Sequence, residues 1–180
     1  MCTLSIGAWA KGCMTIGGIE KAWVIDKSSK PADLTYAVSG NTITITAGAS
    51  NGNAYEIDPV QNSLALTNPV TADPNANSLF YTQTLTGILN DNAAGIVTTI
   101  EEVNKGRTEW LLKFRDGTYR MIGTDVNGMQ ANGGDGFASG QAAGDAQGTT
   151  ISLVSESTYV SPVLEDFATF EAAFDITVPA

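Results

Sequence analysis

The sequence has no histidine and little positive charge. Nine Lys and Arg stand against 19 Asp and Glu, which gives a net charge of -10. Without histidine the chain lacks the commonest general base and a leading ligand of catalytic zinc. Sequence-specific DNA binding is also disfavoured, because contacts to phosphate need clustered Lys and Arg. These absences argue against an enzyme, and we expect no catalytic residues.

Cysteine and long apolar runs are scarce as well. The only cysteines, Cys2 and Cys13, match no metal-binding spacing. We interpret them as free thiols in a reducing cytoplasm, with a disulfide between them as the alternative. The apolar run before Lys11 is too short for a signal peptide, and no window approaches the roughly 20 apolar residues of a membrane span. The sequence therefore predicts no metal, no cofactor and no membrane contact.

The apolar content is sufficient for one folded domain. A hydrophobic fraction of 43% over 180 residues is ordinary for a globular protein. We treat residues 1–180 as a single domain, with a long loop at about 123–148 and a C-terminal arm or helix at about 161–180.

Charge is unevenly distributed along the chain. Basic side chains occur only in residues 1–30 and 105–120, whereas 31–104 and 121–180 contain acids and no bases. One interpretation is a solvated acidic surface. The other is that the basic blocks face acidic blocks, on this chain or on a neighbouring copy.

The residue pattern is mostly that of β-strands. Alternation in 41–46 predicts that Ile43 and Ile45 face the core while the threonines face solvent. Similar but less regular patterns predict further strands at Ile19–Asp26, Phe80–Leu89 and Thr149–Glu156. Threonine suits such strands because its branched side chain packs while its hydroxyl remains hydrated.

The clearest local pattern is a hairpin at 108–123. Asp116-Gly117 is a dipeptide typical of a two-residue type I′ turn. That turn would pair Phe114 with Tyr119 and Leu112 with Met121 on an apolar face. The other face would pair Arg115 with Thr118 and Lys113 with Arg120. Two cations opposite each other repel, so this face is expected to lie against carboxylates.

Two segments read as helices and two as loops. Asp91 or Asn92 can begin a helix that carries Ile96, Val97, Ile100 and Val103 on one stripe and ends near Gly106. Behind Ser161-Pro162, the spacing of Val163, Phe167, Phe170 and Phe174 predicts a second helix, packed on the sheet or docked on a partner. The loops are 48–78, rich in Asn and Pro, and the glycine-rich 123–148.

The candidate chemical motifs are incomplete. Residues 134–140 lack the spacing of a phosphate-binding loop. Residues 125–128 and 133–136 contain only fragments of calcium loops. The adjacent carboxylates at 101–102 and 165–166 would point apart on a helix, so they form no acid/base pair.

One combination of motifs resembles a known family. The hairpin at 107–123 is followed by Asn127-Gly128, Asn132-Gly133-Gly134, Ser139-Gly140 and a strand ending at Glu156. This order, together with the opening Cys13–Ile25 and Phe80–Leu85 before a helix, resembles tail tube proteins and related virion structural proteins of tailed phages. The resemblance covers about two thirds of the chain, and residues 48–78 depart from it.

The resemblance implies a fold, an assembly and a location. The fold would be a mainly β sandwich or barrel of tail-tube type, with one flanking α-helix and long Gly/Asn-rich loops. The subunits would be assembled in the bacterial host cytoplasm into the virion tail, as stacked hexameric rings around an acidic lumen. Partners would be other copies and other tail or connector proteins, and DNA would pass without tight binding. The family carries no catalytic residues.

From this we derive a candidate subunit interface. The basic hairpin face supplies Lys113, Arg115 and Arg120, the long loop supplies Asp135 and Asp145, and the C-terminal segment supplies Phe167 and Phe170. Alternative functions are a capsid decoration, head–tail connector or tail terminator protein. A carbohydrate-binding or adhesin domain that uses Trp or Tyr platforms is a further alternative.

Overall fold

The computed structural model describes residues 17–57, 59, 63–73, 78–89, 94–125, 127–133, 136–138 and 148–178. Within these residues the chain is mainly β. The helices are α1 (Ala94–Lys105) and α2 (Phe167–Ala173). The strands are β1 (Ile19–Asp26), β2 (Thr35–Ser39), β3 (Thr42–Thr46), β4 (Gly52–Ile57), β5 (Ala65–Thr67), β6 (Val70–Asp73), β7 (Ser78–Leu89), β8 (Thr108–Phe114), β9 (Tyr119–Ile122), β10 (Gln130–Ala131), β11 (Gly136–Ala138), β12 (Gly148–Ser157), β13 (Val163–Leu164) and β14 (Phe174–Thr177).

The strands form two sheets. The first sheet has eight strands in the order β14-β4-β1-β8-β9-β13-β3-β2. The second sheet is built on the long antiparallel pair β7 and β12, with β5 and β6 along the free side of β7 and β10 and β11 along the free side of β12. The expected strands at 19–26, 41–46, 80–89 and 149–156 are confirmed within a few residues.

Two apolar cores lie on opposite faces of the first sheet. One core joins that sheet to the second sheet and to α1: Val24, Trp110 and Leu112 meet Leu85 and Leu153 there. The other core joins the first sheet to α2 through residues that include Trp23, Leu111, Phe170 and Phe174. Strand β1 supplies both cores because its side chains alternate between the faces.

The C-terminal segment is part of the first sheet. Strand β13 lies between β9 and β3, and β14 runs parallel to β4. The expected helix is shorter than its apolar spacing indicates: Asp166 caps it, accepting a hydrogen bond from the backbone N of Ala168, and Phe174 is already in a strand. Aromatic residues are compatible with both structures, so spacing alone misplaced the helix ends.

The expected loop at 48–78 is wrong, because it contains β4, β5 and β6. Strands β5 and β6 pair with β7 in one register, as Ala65 with Thr86 and Val70 with Tyr81. The intervening Pro69 keeps this register, since its carbonyl accepts from the backbone N of Thr82 at 3.0 Å. Proline and asparagine thus interrupt an edge strand here without ending it.

The hairpin at 108–122 is confirmed, but the expected register is wrong. Lys113 pairs with Tyr119 and Leu112 pairs with Arg120. The loop has three residues: Gly117 N donates to Phe114 O at 3.0 Å, and Phe114 N donates to Thr118 O at 2.8 Å. Gly117 is left-handed at φ 85°, as is usual for a three-residue loop that ends in a bulge. Lys113 and Arg120 therefore lie on opposite faces and do not oppose each other.

Candidate interaction surfaces

The two sheets differ in charge. Every strand of the second sheet lacks Lys and Arg, and its strands contain only Asp73 and Glu156 as acids. The first sheet carries Lys21, Lys113 and Arg120 together with several acids. The basic side chains of the described chain therefore belong to one side of the sandwich and to the segments around it.

The outer face of the second sheet is rich in hydroxyl groups. Adjacent positions on this face pair Thr86 with Ser152 and Thr82 with Glu156. Thr67 pairs with Thr84 on the same face. The side chains of this face that are described are exposed or half-buried, and Glu156 is the charged one among them. Threonine favours strands and keeps its hydroxyl in water, so this face is hydrated, although half-buried Phe80, Ile88 and Val154 share it.

One border of the second sheet is an open edge strand. Pro69 lies opposite Thr82 and accepts a backbone hydrogen bond from it, so the N–H and C=O groups of every second residue from Pro69 point toward β7. The N–H and C=O groups of the residues between them point away from β7; these residues are Leu66, Asn68, Val70 and Ala72. The N–H group that Pro69 lacks would have faced β7, so this proline does not block the outer side. No described strand pairs there. Val70 is 56% exposed.

The opposite border of the second sheet is formed by the two short strands β10 and β11, which pair with β12. Gln130 and Ala131 pair with Val154 and Leu153, and β11 continues along β12 from Gly136. Within the described part of the chain, no strand pairs with the outer side of these two short strands, and α1 packs against β10. Unprotected edges of this kind are templates for pairing with another chain. The second sheet thus offers two borders for association.

A buried carboxylate organises one end of the first sheet. The Glu109 side chain is 0% exposed, and its Oε1 lies 2.8 Å from Lys27 Nζ and 3.1 Å from Lys30 Nζ. The Tyr36 hydroxyl donates to Glu109 Oε2. Lys30 Nζ also lies 3.9 Å from the centre of the Tyr36 ring. A buried charge needs such partners because it has lost its hydration.

The same cluster holds the beginning of the glycine-rich segment. Lys27 Nζ donates to the carbonyl oxygens of Gly123, Thr124 and Asp125, the last at 2.6 Å. Gly123 N in turn donates to the buried Gln83 Oε1 at 3.0 Å. Residues 123–125 are therefore fixed to both sheets.

Burial and negative charge affect the tyrosines at this site. Burial, together with the charge of Glu109 and the hydrogen bond to it, raises the pKa of Tyr36 far above its usual value. Burial also raises the pKa of Tyr159, whose hydroxyl forms a 2.8 Å hydrogen bond with Thr124 Oγ1. Both side chains line an open depression of about 580 Å³ beside Lys30 and Asp125. A tyrosine that holds its proton this firmly is a hydrogen-bond donor and not a base.

The described lysines are all paired with glutamates of the same chain. Besides Lys27 and Lys30, the pairs are Lys21–Glu56 at 2.6 Å, Lys105–Glu101 at 3.0 Å and Lys113–Glu20 at 3.0 Å. Acids outnumber bases in the chain, so the charge that remains on the described surface is negative. Lys21 and Lys105 thus meet acids of the 31–104 block. The other three lysines meet Glu109 and Glu20, which belong to the two basic blocks themselves, so the basic blocks face each other at least as much as they face the acidic blocks.

The predicted interface residues are in different places. Lys113 pairs with Glu20, and Arg120 Nη1 donates to Ser161 O at 2.8 Å. Arg115 is exposed at the hairpin loop, with its side chain beside Gly18. Asp135 and Asp145 lie outside the described residues, as do Cys2 and Cys13. Lys113, Arg115 and Arg120 thus belong to one hairpin, but Lys113 and Arg120 lie on opposite faces of it.

The two phenylalanines of the predicted interface pack within the chain. Phe170 is fully buried, and Phe167 is half-buried. Phe167 stacks on Tyr119 with ring centres 4.5 Å apart, and the Phe170 ring lies 4.7 Å from Phe174. Both belong to the core beneath α2.

Sequence reasoning missed Glu109 as the central charged residue. It occupies an apolar strand, and strand pairing places it beside Ile25, one residue before Asp26. The sequence did contain an indication, because Glu109 directly precedes the apolar run Trp110-Leu111-Leu112. A carboxylate in such a buried strand requires charged or hydrogen-bonding partners. The distance of 82 residues between Lys27 and Glu109 concealed which partners these are.

The described residues offer no group of ligands suited to a metal ion. No helix among them has the length and apolar character needed to cross a bilayer. The tryptophans that are described, Trp23 and Trp110, are 4% and 0% exposed, so neither forms a platform for a sugar. No family model matches the chain, and neither a curated protein nor a solved structure is significantly similar to it.

Proposed function

We propose that the chain is a structural subunit of a phage virion, the tail tube protein, which forms stacked hexameric rings around a lumen through which DNA passes. The observation that carries the proposal is the second sheet with its two open borders. Residues 65–73 form one border, and β10 and β11 form the other.

Two different open borders on one sheet suit a ring. If the border at 65–73 of one copy pairs with the β10–β11 border of the next, the contact is heterologous, and a suitable rotation closes it. Closure removes every free edge of the sheet, which is the way barrels avoid uncontrolled pairing. The order of motifs that resembles tail tube proteins supports the same assignment.

The charges are consistent with a conduit for DNA. The described lysines are paired with glutamates, and the net charge of the chain is -10. Phosphate binding releases counterions through unpaired Lys and Arg, so such a subunit offers DNA little to bind. Arg115, which is exposed at the hairpin loop, stays a predicted residue of the subunit seam.

Two experiments test the proposal. The first locates the protein in virions, and the second blocks the border at 65–73 by mutation. Antibody labelling of purified virions should mark the length of the tail, in a copy number divisible by six. Labelling confined to the head, the neck or the tail terminus would overturn the proposal and support the decoration, connector or terminator alternatives. Monomeric protein in virions would also overturn it.

A charged side chain on the edge strand tests the border. Val70→Lys should prevent ring formation because a charge at an edge opposes strand addition. Val178→Lys is the matched control, since Val178 is 61% exposed and follows β14 of the first sheet. Both variants should fold. Normal rings from Val70→Lys would rule out this border as the contact.

A further inference from the structure

We propose that the depression beside Tyr36 and Tyr159 binds a neutral sugar. The inference goes beyond the tube function and does not depend on it, because the residues that line the depression belong to neither border of the second sheet. The volume of about 580 Å³ lies within the range of about 300–1,000 Å³ that is typical of small-molecule sites.

The depression combines apolar surface with hydroxyl groups. Pro31 and Val38 supply apolar surface, and the half-buried Tyr159 leaves part of its side chain accessible. The Tyr159 hydroxyl shares a 2.8 Å hydrogen bond with Thr124 Oγ1, and both oxygens keep lone pairs that can accept another. A sugar ring presents C–H groups and hydroxyls together, and tyrosine suits both because its ring is apolar and its tip is polar.

Charged lining groups keep hydrogen-bonding capacity for such hydroxyls. Lys30 Nζ forms hydrogen bonds with Glu109 Oε1 and Oε2 at 3.1 and 3.3 Å, and an ammonium group has three N–H donors. Asp125 Oδ2 accepts from Thr158 N at 3.1 Å, and a carboxylate can accept about four hydrogen bonds. The depression therefore offers a charged donor and a charged acceptor to a ligand.

The charges favour a neutral ligand over an ionic one. Lys30 and Asp125 are the charged residues that line the depression, so one cation and one anion balance there. An anionic ligand would lie beside Asp125, and a cationic ligand would lie beside Lys30. Each of these contacts between like charges costs free energy, whereas a neutral hydroxyl group can bind to either residue.

The lining groups are held in place without a ligand. Glu109 holds the ammonium of Lys30, which also lies 3.9 Å from the centre of the Tyr36 ring. Lys27 holds the backbone carbonyls of residues 123–125. Side chains that are already fixed lose less entropy when a ligand binds. Apolar residues can often replace a whole buried ion cluster without loss of stability, so a binding site that needs fixed polar groups gives a reason for this cluster.

An NMR titration of the unassembled full chain tests the proposal. The neutral probes are the methyl glycosides of glucose, galactose, mannose and N-acetylglucosamine, each at about 10 mM, a concentration that detects a Kd of about 1 mM. We expect at least one probe to shift the amide resonances of Lys30, Thr124, Asp125 and Tyr159. Absence of shifts with every probe, or shifts confined to other surfaces, would overturn the proposal and leave the tube function standing.

An anionic sugar tests the charge argument. Glucuronate has the ring of glucose with an added carboxylate, and we expect it to bind more weakly than methyl glucoside because it meets Asp125. Tighter binding of glucuronate would mean that Lys30 recognises an anion, and it would overturn the assignment of a neutral ligand.

An aspartate variant tests the position of the site. Asp125→Asn keeps an oxygen for Thr158 N but loses the charged acceptor, so the Kd should rise about tenfold or more. Asp116→Asn is the matched control, because Asp116 Oδ1 also accepts a backbone hydrogen bond, from Thr118 N at 2.9 Å, and lies outside the depression. An unchanged Kd for Asp125→Asn would overturn the site. Thermal unfolding checks that both variants fold, and the titration of the wild type decides the proposal if Asp125→Asn does not.

Discussion

The ammonium of Lys27 lies 2.8 Å from the buried carboxylate of Glu109 and donates to three backbone carbonyls of residues 123–125. This one side chain joins the end of β1, the start of β8 and the start of the glycine-rich segment. It neutralises a charge and fixes a loop at the same time.

Removing the Lys27 ammonium should destabilise the fold. Lys27→Met leaves Glu109 with one cation and three carbonyls without their donor, so we expect a loss of about 3 kcal/mol in the free energy of unfolding. Urea unfolding followed by tryptophan fluorescence measures it. Lys105→Met, which breaks an exposed pair with Glu101, should change stability by less than about 0.5 kcal/mol. Equal losses of stability in the two variants would mean that the buried cluster around Glu109 stabilises the fold no more than an exposed ion pair does.

The Asp116 carboxylate should make the hairpin sensitive to acid. The side-chain and backbone hydrogen bonds from Thr118 lower the pKa of Asp116 below the usual value of an aspartate. A carboxyl with a lowered pKa in the folded state stabilises the fold above its unfolded pKa, and this contribution is lost as pH falls through the folded pKa. The stability difference between the wild type and Thr118→Val should therefore shrink in acid. A difference independent of pH would contradict this.

The left-handed Gly117 should resist substitution. Gly117→Ala places a Cβ at φ 85°, where no other atom lies within 4 Å, so the cost is conformational and about 1 kcal/mol. Gly117→Asn should cost less, because asparagine tolerates this region. Thermal unfolding of the two variants checks the order. Equal stability of Gly117→Ala and the wild type would contradict the three-residue loop.

The Phe170 side chain should stabilise the subunit itself. Phe170→Ala empties part of a closed core and should cost about 3–5 kcal/mol. Phe167→Ala should cost less, since this ring is half-buried. Unfolding of the unassembled protein is the measurement. A fully stable Phe170→Ala monomer that fails to assemble would favour the interface role expected from sequence.

A charge exchange distinguishes a pair within the chain from a subunit seam at Lys113. Lys113→Glu alone places a carboxylate beside Glu20 and should weaken the monomer slightly. Adding Glu20→Lys restores an opposite pair and should restore both stability and assembly. If the double variant is stable but does not assemble, Lys113 contacts an acidic neighbour, and the seam includes this residue.

Sequence patterns predicted strands of both sheets but not the edge strand of the second sheet. Alternation located β3 because Ile43 and Ile45 face one core while Thr44 and Thr46 face water. The edge strand at 65–73 was missed because Pro69 resembles a loop residue, although only strand pairing determines which side of the strand the proline weakens. The predicted hairpin register was wrong because the Asp-Gly dipeptide fits both two-residue and three-residue loops, and the sequence does not distinguish them.

The candidate surfaces required three-dimensional information. The absence of Lys and Arg from the second sheet is visible in the sequence only after its six strands are known. Lys27 and Glu109 belong to different stretches of basic residues, so composition gave no sign that they pair. Phe170 was identified as an important apolar position, and the structure assigns it to the core beneath α2.

The position of β13 has a consequence for the timing of folding. This two-residue strand joins β9 to β3, which comes more than a hundred residues earlier in the chain, and β14 then adds to β4. Contacts of such long sequence separation form late and slowly. The first sheet cannot close until the ribosome has synthesised residues 163–177, so a nascent chain cannot complete this sheet. A chain that ends before residue 163 would therefore lack both β13 and β14.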